Sequence, residues 1–178
     1  SNNMEYDKLN NTLKANGTCL QGKVTTTFNK LEEAFGEPIY PDSFDGKVMC
    51  EWVLEFEDGT IATIYCWKLK TAPLGEYDWH IGGHSQRAVD YVKNILLMKE
   101  VEYKLNEDEQ VQLADGFEDA FEGIARQFGK PIAVYDRQKC IDILVNRDGM
   151  SHEEAEEYFQ FNVEGAWVGE NTPAFLDK

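Results

Sequence analysis

The chain has 178 residues, 42% of them hydrophobic and 12% aromatic, with 17 Lys and Arg against 33 Asp and Glu for a formal charge of -16. That composition is too rich in apolar side chains for a disordered chain and suits one good core or two small ones. The acid excess repels DNA, RNA and anionic membranes, which leaves a soluble protein or one with a basic partner.

From Leu20 to Thr26 the pattern predicts a strand, and Thr27 then caps a short helix whose Phe28, Leu31 and Phe35 share one face and which stops at Gly36. Pro38 and Pro41 mark a loop. Val48 to Glu57 alternates, with Val48, Cys50, Trp52, Leu54 and Phe56 on one side and Glu51, Glu55 and Glu57 on the other. Asp58-Gly59 signals a two-residue hairpin turn, and the return strand is Thr60 to Lys68. Pairing Glu57 with Thr60 sets Phe56 opposite Ile61, Leu54 opposite Thr63, Trp52 opposite Tyr65 and Cys50 opposite Trp67. In that register Val53, Ala62 and Ile64 share the second face with the acids, an apolar patch that would favour adaptor binding or self-association.

Trp79 to Ile81 adds a strand, Gly82-Gly83 breaks it, and Ser85 caps a helix with Ala88, Val89, Val92, Ile95 and Leu96 on one side. Glu100 to Asp115 reads as an acidic linker. Phe117, Ala120, Phe121, Ile124 and Phe128 have helical spacing, but Gly123 favours a strand almost as strongly, and the element stays open. Ile132 to Tyr135 predicts a strand and Arg137 to Arg147 a helix with Ile141, Leu144 and Val145 inward. Gly149 ends it, Ser151 and Glu154 form a capping box for a second helix to about Val163, and Trp167 to Leu176 is an extended tail. The expected class is α+β in two modules. Residues 1–104 form a β-α-β-β-β-α antiparallel sheet packed on helices around the 48–68 hairpin, and residues 105–178 form an acidic module with a short sheet and two helices.

Neither a stretch approaching the roughly 20 apolar residues of a bilayer span nor a signal pattern is visible, so a cytoplasmic location is expected. Cys19, Cys50, Cys66 and Cys140 form no Cys-x-x-Cys motif, and the hairpin register above puts Cys50 and Cys66 on opposite faces, out of disulfide reach. Four reduced thiols are expected.

Asp78, His80 and His84, in Asp78-Trp79-His80-Ile81-Gly82-Gly83-His84, are the one cluster with metal-ligand chemistry. His residues four apart converge only on a helix, which the glycines oppose, so a structural turn with hydrogen-bonded His is the default and a metal-dependent enzyme the alternative. Gly82-Gly83 before a helix would suit an anion, but no P-loop Lys follows. No cofactor and no catalytic residue is expected. The charge is uneven, about -5 on residues 1–104 and about -11 on the rest, and Leu105 to Ala125 holds Glu107, Asp108, Glu109, Asp115, Glu118, Asp119 and Glu122 without a base. With Glu51, Glu55, Glu57 and Asp58 of the hairpin, these are the expected partner-binding residues, carboxylates that mimic DNA by occupying Lys and Arg that normally hold phosphates.

Phe56-Glu57-Asp58-Gly59-Thr60-Ile61-Ala62-Thr63-Ile64-Tyr65 and Trp79-His80-Ile81-Gly82-Gly83-His84 resemble small proteins encoded by bacteriophages, prophages and other mobile elements. A second resemblance covers Gly129 to Phe175, through Ala133-Val134-Tyr135-Asp136, Lys139-Cys140-Ile141, Asp148-Gly149-Met150 and Glu164-Gly165-Ala166-Trp167-Val168-Gly169-Glu170-Asn171-Thr172-Pro173. The chain is similar in size and charge to type II anti-CRISPR proteins. That likeness implies a non-enzymatic inhibitor in the bacterial host cytoplasm that binds Cas9 or its guide-RNA complex and blocks DNA engagement, with no transferable catalytic residues.

Overall fold

In a computed structural model that describes residues 4–41 and 46–178, the chain folds as α+β in two units, residues 4–96 and 97–178. The division falls eight residues before the expected one at 104/105 because a single helix supplies both cores. In α2 (Arg87–Glu102), Ala88, Val89 and Val92 belong to the first core and Leu97, Met98 and Val101 to the second.

The first unit is an antiparallel sheet of β1 (Tyr6–Leu9), β2 (Cys19–Thr26), β3 (Glu51–Phe56), β4 (Ile61–Tyr65) and β5 (Tyr77–Gly83), in the order β1-β3-β4-β5-β2. One face packs Trp52, Leu54, Ile64, Trp79 and Ile81 against α1 (Phe28–Phe35) and the start of α2. Thr27 Oγ1 accepts the Lys30 N–H at 3.2 Å, and Gly36 ends α1 with φ 79°, so both helix signals read from the sequence hold. Trp52 Nε1 donates to the Gly36 carbonyl at 2.7 Å, tying the helix end to the sheet. No pattern in the sequence predicts the short β1. Its four residues are too few to show a period, and pairing with β3 creates it.

The hairpin register differs by one residue from the expected one. Glu55 faces Ile61, Leu54 faces Ala62, Val53 faces Thr63, Trp52 faces Ile64 and Glu51 faces Tyr65. A type I′ turn needs two positive φ values, and here Gly59 alone supplies one, at 89°. The loop therefore spans Glu57, Asp58 and Gly59, with Gly59 N–H donating to the Phe56 carbonyl and Asp58 Oδ1 accepting the Thr60 N–H, both at 2.9 Å. The slip turns the return strand over. Ala62, Ile64 and Cys66 join the core, while Ile61, Thr63 and Tyr65 share the other face with Glu51 and Val53. The expected exposed patch of Val53, Ala62 and Ile64 is thus absent, since all three are fully buried.

Gly82 and Gly83 do not break β5 but complete it. A Cβ on Gly83 would lie 2.5 Å from Ala88 Cβ and 3.0 Å from the Ile61 carbonyl oxygen, and one on Gly82 would lie 2.4 Å from Thr63 Oγ1. Bare backbone here lets α2 and β4 close onto the strand, which accounts for both glycines without a phosphate.

In the second unit, β6 (Phe121–Gln127) and β7 (Lys130–Asp136) form an antiparallel pair to which β8 (Ala174–Leu176) adds in parallel, with α3 (Arg137–Asp148) and α4 (His152–Phe159) completing the fold. The segment left open between helix and strand is a 3-10 turn at Glu118–Ala120 followed by β6, with Gly123 at a bulge. The expected linker is also structured at its end: Val111 and Leu113 are buried, and the Ala114 N–H donates to the Tyr135 phenol oxygen at 2.8 Å. Asp136 Oδ1 caps α3 through the Lys139 N–H, Gly149 leaves it at φ 71°, and Ser151 Oγ accepts the Glu154 N–H at 3.1 Å to begin α4. A π-helical turn, Gln160–Glu164, extends α4, and only residues 174–176 of the expected extended tail are strand.

Candidate functional site

On the sheet face turned away from the first core, the ladder sets Glu51 beside Tyr65, Tyr65 beside His80 and His80 beside Lys23, a polar row running across β3, β4, β5 and β2. The corrected hairpin register puts Tyr65 on this face beside Glu51, whereas pairing Tyr65 with Trp52 would turn it to the core face. Tyr65 and His80 stack with ring centres 5.3 Å apart, and Trp67 meets Tyr65 edge-on at 6.2 Å. His80 Nδ1 is buried without a hydrogen-bond partner among the described residues.

Burial, then the Lys23 ammonium, lowers the His80 pKa, with Asp78 opposing. Burial raises the pKa of Glu51, and burial followed by the Glu51 charge raises that of Tyr65. At neutral pH the row therefore presents a neutral imidazole and a neutral phenol between a carboxyl group and an ammonium, suited to stacking and hydrogen bonding. On the same strand, Asp78 Oδ1 accepts the Thr25 hydroxyl at 2.6 Å. His84 lies beyond the end of β5 and is exposed. Among the described residues no group of three or more His, Cys, Asp or Glu is placed to hold a metal ion, so Asp78, His80 and His84 are not brought together as a ligand set.

The expected partner-binding carboxylates divide by what they touch. Glu55 pairs with Lys14 at 2.7 Å, and Asp58 accepts from the Tyr91 phenol at 2.7 Å with Arg87 at 3.8 Å. Tyr91, then the Thr60 N–H, holds the Asp58 carboxyl below the usual range. Glu109 is clamped by both Arg126 nitrogens, which lower its pKa in turn. Glu118 accepts the Gly116 N–H at 3.1 Å, and Glu122 meets Lys178 at 2.6 Å and Lys139 at 3.9 Å. Asp115 and Asp119 are exposed and also engaged. Glu57, Glu107 and Asp108 are exposed and make no ion pair among the described residues.

Comparison with known proteins adds no relative: no family model, curated protein or solved structure matches the chain. No helix among the described residues is long and apolar enough to cross a membrane.

Proposed function

We propose that the chain is a non-enzymatic binding protein whose surplus carboxylates dock on a basic surface of a nucleic-acid-binding protein and compete there with the phosphate backbone. The observation that supports this reading is how the second unit spends its cations. Of its eight Lys and Arg, six (Arg126, Lys130, Arg137, Lys139, Arg147 and Lys178) pair with carboxylates of the same unit. Glu100, Glu102, Glu107, Asp108, Glu153, Glu154 and Glu157 are left exposed, with no ion pair among the described residues. Unpaired surface carboxylates steer a basic partner and exclude nucleic acid.

Cas9 loaded with its guide RNA is the partner the phage resemblance suggests, since its guide and DNA channels are strongly positive, and an inhibitor of that kind would act in the host cytoplasm. Binding of the full chain to Cas9 with guide, measured at low and high salt, tests the reading. Affinity should fall steeply with salt, and the double substitution Glu107→Lys, Asp108→Lys should weaken it about tenfold, whereas Glu109→Gln, already held by Arg126, should matter less. Absence of low-salt binding to Cas9 and to other basic nucleic-acid enzymes, or binding indifferent to salt, would overturn it.

A further inference from the structure

The corrected hairpin register brings Cys50 and Cys66 together. Continuing the pairing one residue past Glu51 and Tyr65 sets the two cysteines opposite each other on the core face, with their sulfurs 4.0 Å apart and in thiol hydrogen-bonding contact. Both side chains are fully buried in the first core. Opposed residues of an antiparallel pair have Cα atoms about 4.5–5.5 Å apart, inside the roughly 4.4–6.8 Å a disulfide requires. The sulfurs therefore need to approach by about 2 Å, without rearrangement of the strands. Regular β3 begins at Glu51 and regular β4 ends at Tyr65, so each cysteine sits just outside the ladder, where backbone adjusts more readily than in mid-strand.

We propose that Cys50 and Cys66 form a reversible dithiol-disulfide site whose oxidant is hydrogen peroxide. The Cys66 thiolate attacks one peroxide oxygen, the O–O bond breaks, and the departing hydroxide takes up a proton to leave as water, giving a sulfenic acid on Cys66. Cys50 sulfur then attacks Cys66 sulfur, the S–O bond breaks, and the released hydroxide takes the Cys50 proton as a second water. Two thiols are oxidised by two electrons and one peroxide is reduced to two waters. The roles follow from the shared proton. With Cys50 as the donor in the sulfur-sulfur contact, that hydrogen bond lowers the Cys66 thiol, while the same bond and burial push the Cys50 thiol up. Burial pushes Cys140 up to about 12, which disfavours attack by that thiol.

Peroxide treatment of the folded full chain, followed by alkylation, non-reducing digestion and mass spectrometry, decides the matter. The expected product is one linked peptide pair containing Cys50 and Cys66, with an intact mass lower by two hydrogens that reduction restores, and no such product from Cys66→Ser. Because wild-type protein carries the main measurement, a poorly folding variant does not blur it. Recovery of Cys50 and Cys66 as free thiols, their irreversible oxidation to sulfinic acids, or preferential linkage of either to Cys19 would overturn the proposal.

Discussion

The Tyr91 phenol donates to Asp58 Oδ2 at 2.7 Å, fastening the tip of the β3-β4 hairpin to α2 within the first unit. Tyr91→Phe should lower unfolding free energy by about 1 kcal/mol while keeping the ring contact with Phe56. The folded Asp58 pKa is depressed, so its contribution is present above the unfolded value and lost as pH falls through the folded one. Urea denaturation across the acid range should show a steeper loss in wild type than in Tyr91→Phe, with the curves converging at low pH.

Gly83→Ala should destabilise by roughly 1–3 kcal/mol, because its Cβ would fall 2.5 Å from Ala88 Cβ. The double variant Gly83→Ala, Ala88→Gly removes that collision and should recover part of the loss in thermal unfolding, leaving the tight approach to the Ile61 carbonyl and the cost of Gly in a helix.

His80 carries a pH dependence of its own. Its folded pKa lies below the ordinary 6.5, so the unfolded chain binds the proton more readily and stability falls as pH drops through the unfolded value. NMR titration should give a His80 midpoint below the ordinary 6.5. His80→Gln should flatten the decline of stability between neutral and mildly acidic pH, and an unchanged slope would separate His80 from that decline.

Tyr135→Phe probes the segment that reads as linker. The phenol oxygen accepts the Ala114 N–H, and Tyr135 is fully buried, so its removal orphans a partly buried donor. A loss of about 1–3 kcal/mol is expected, together with faster amide exchange at Ala114.

Local chemistry was legible where one residue decides it. Thr27, Gly36, Gly149 and Ser151 start or stop helices through their own bonds and φ values, and α+β in two units follows from those stops and the strand runs between them. The hairpin register was not, because Asp-Gly serves both a two-residue and a three-residue loop and the choice rests on whether Asp58 takes a positive φ. That single residue decided whether Cys66 met Cys50 and whether Tyr65 shared a sheet face with His80, its neighbour across the β4-β5 ladder. Gly83 reads as a breaker in the sequence because nothing local announces Ala88 above it. The acids Glu109 and Glu122 looked available because their partners Arg126 and Lys178 are distant in the chain.

The order β1-β3-β4-β5-β2 also sets a sequence of events in folding. β3, β4 and β5 are neighbours along the chain and pair at small loop-closure cost, whereas β1 and β2, adjacent in sequence, lie at opposite edges and each closes a long loop onto that meander. Loop-closure cost therefore predicts that the meander pairs first and the amino-terminal segment joins its two edges later, with the β2-β5 pairing, where Gln21 Nε2 reaches the Gly83 carbonyl at 3.0 Å across 62 residues, the slowest to close; φ-values near zero for substitutions in β2 would check it.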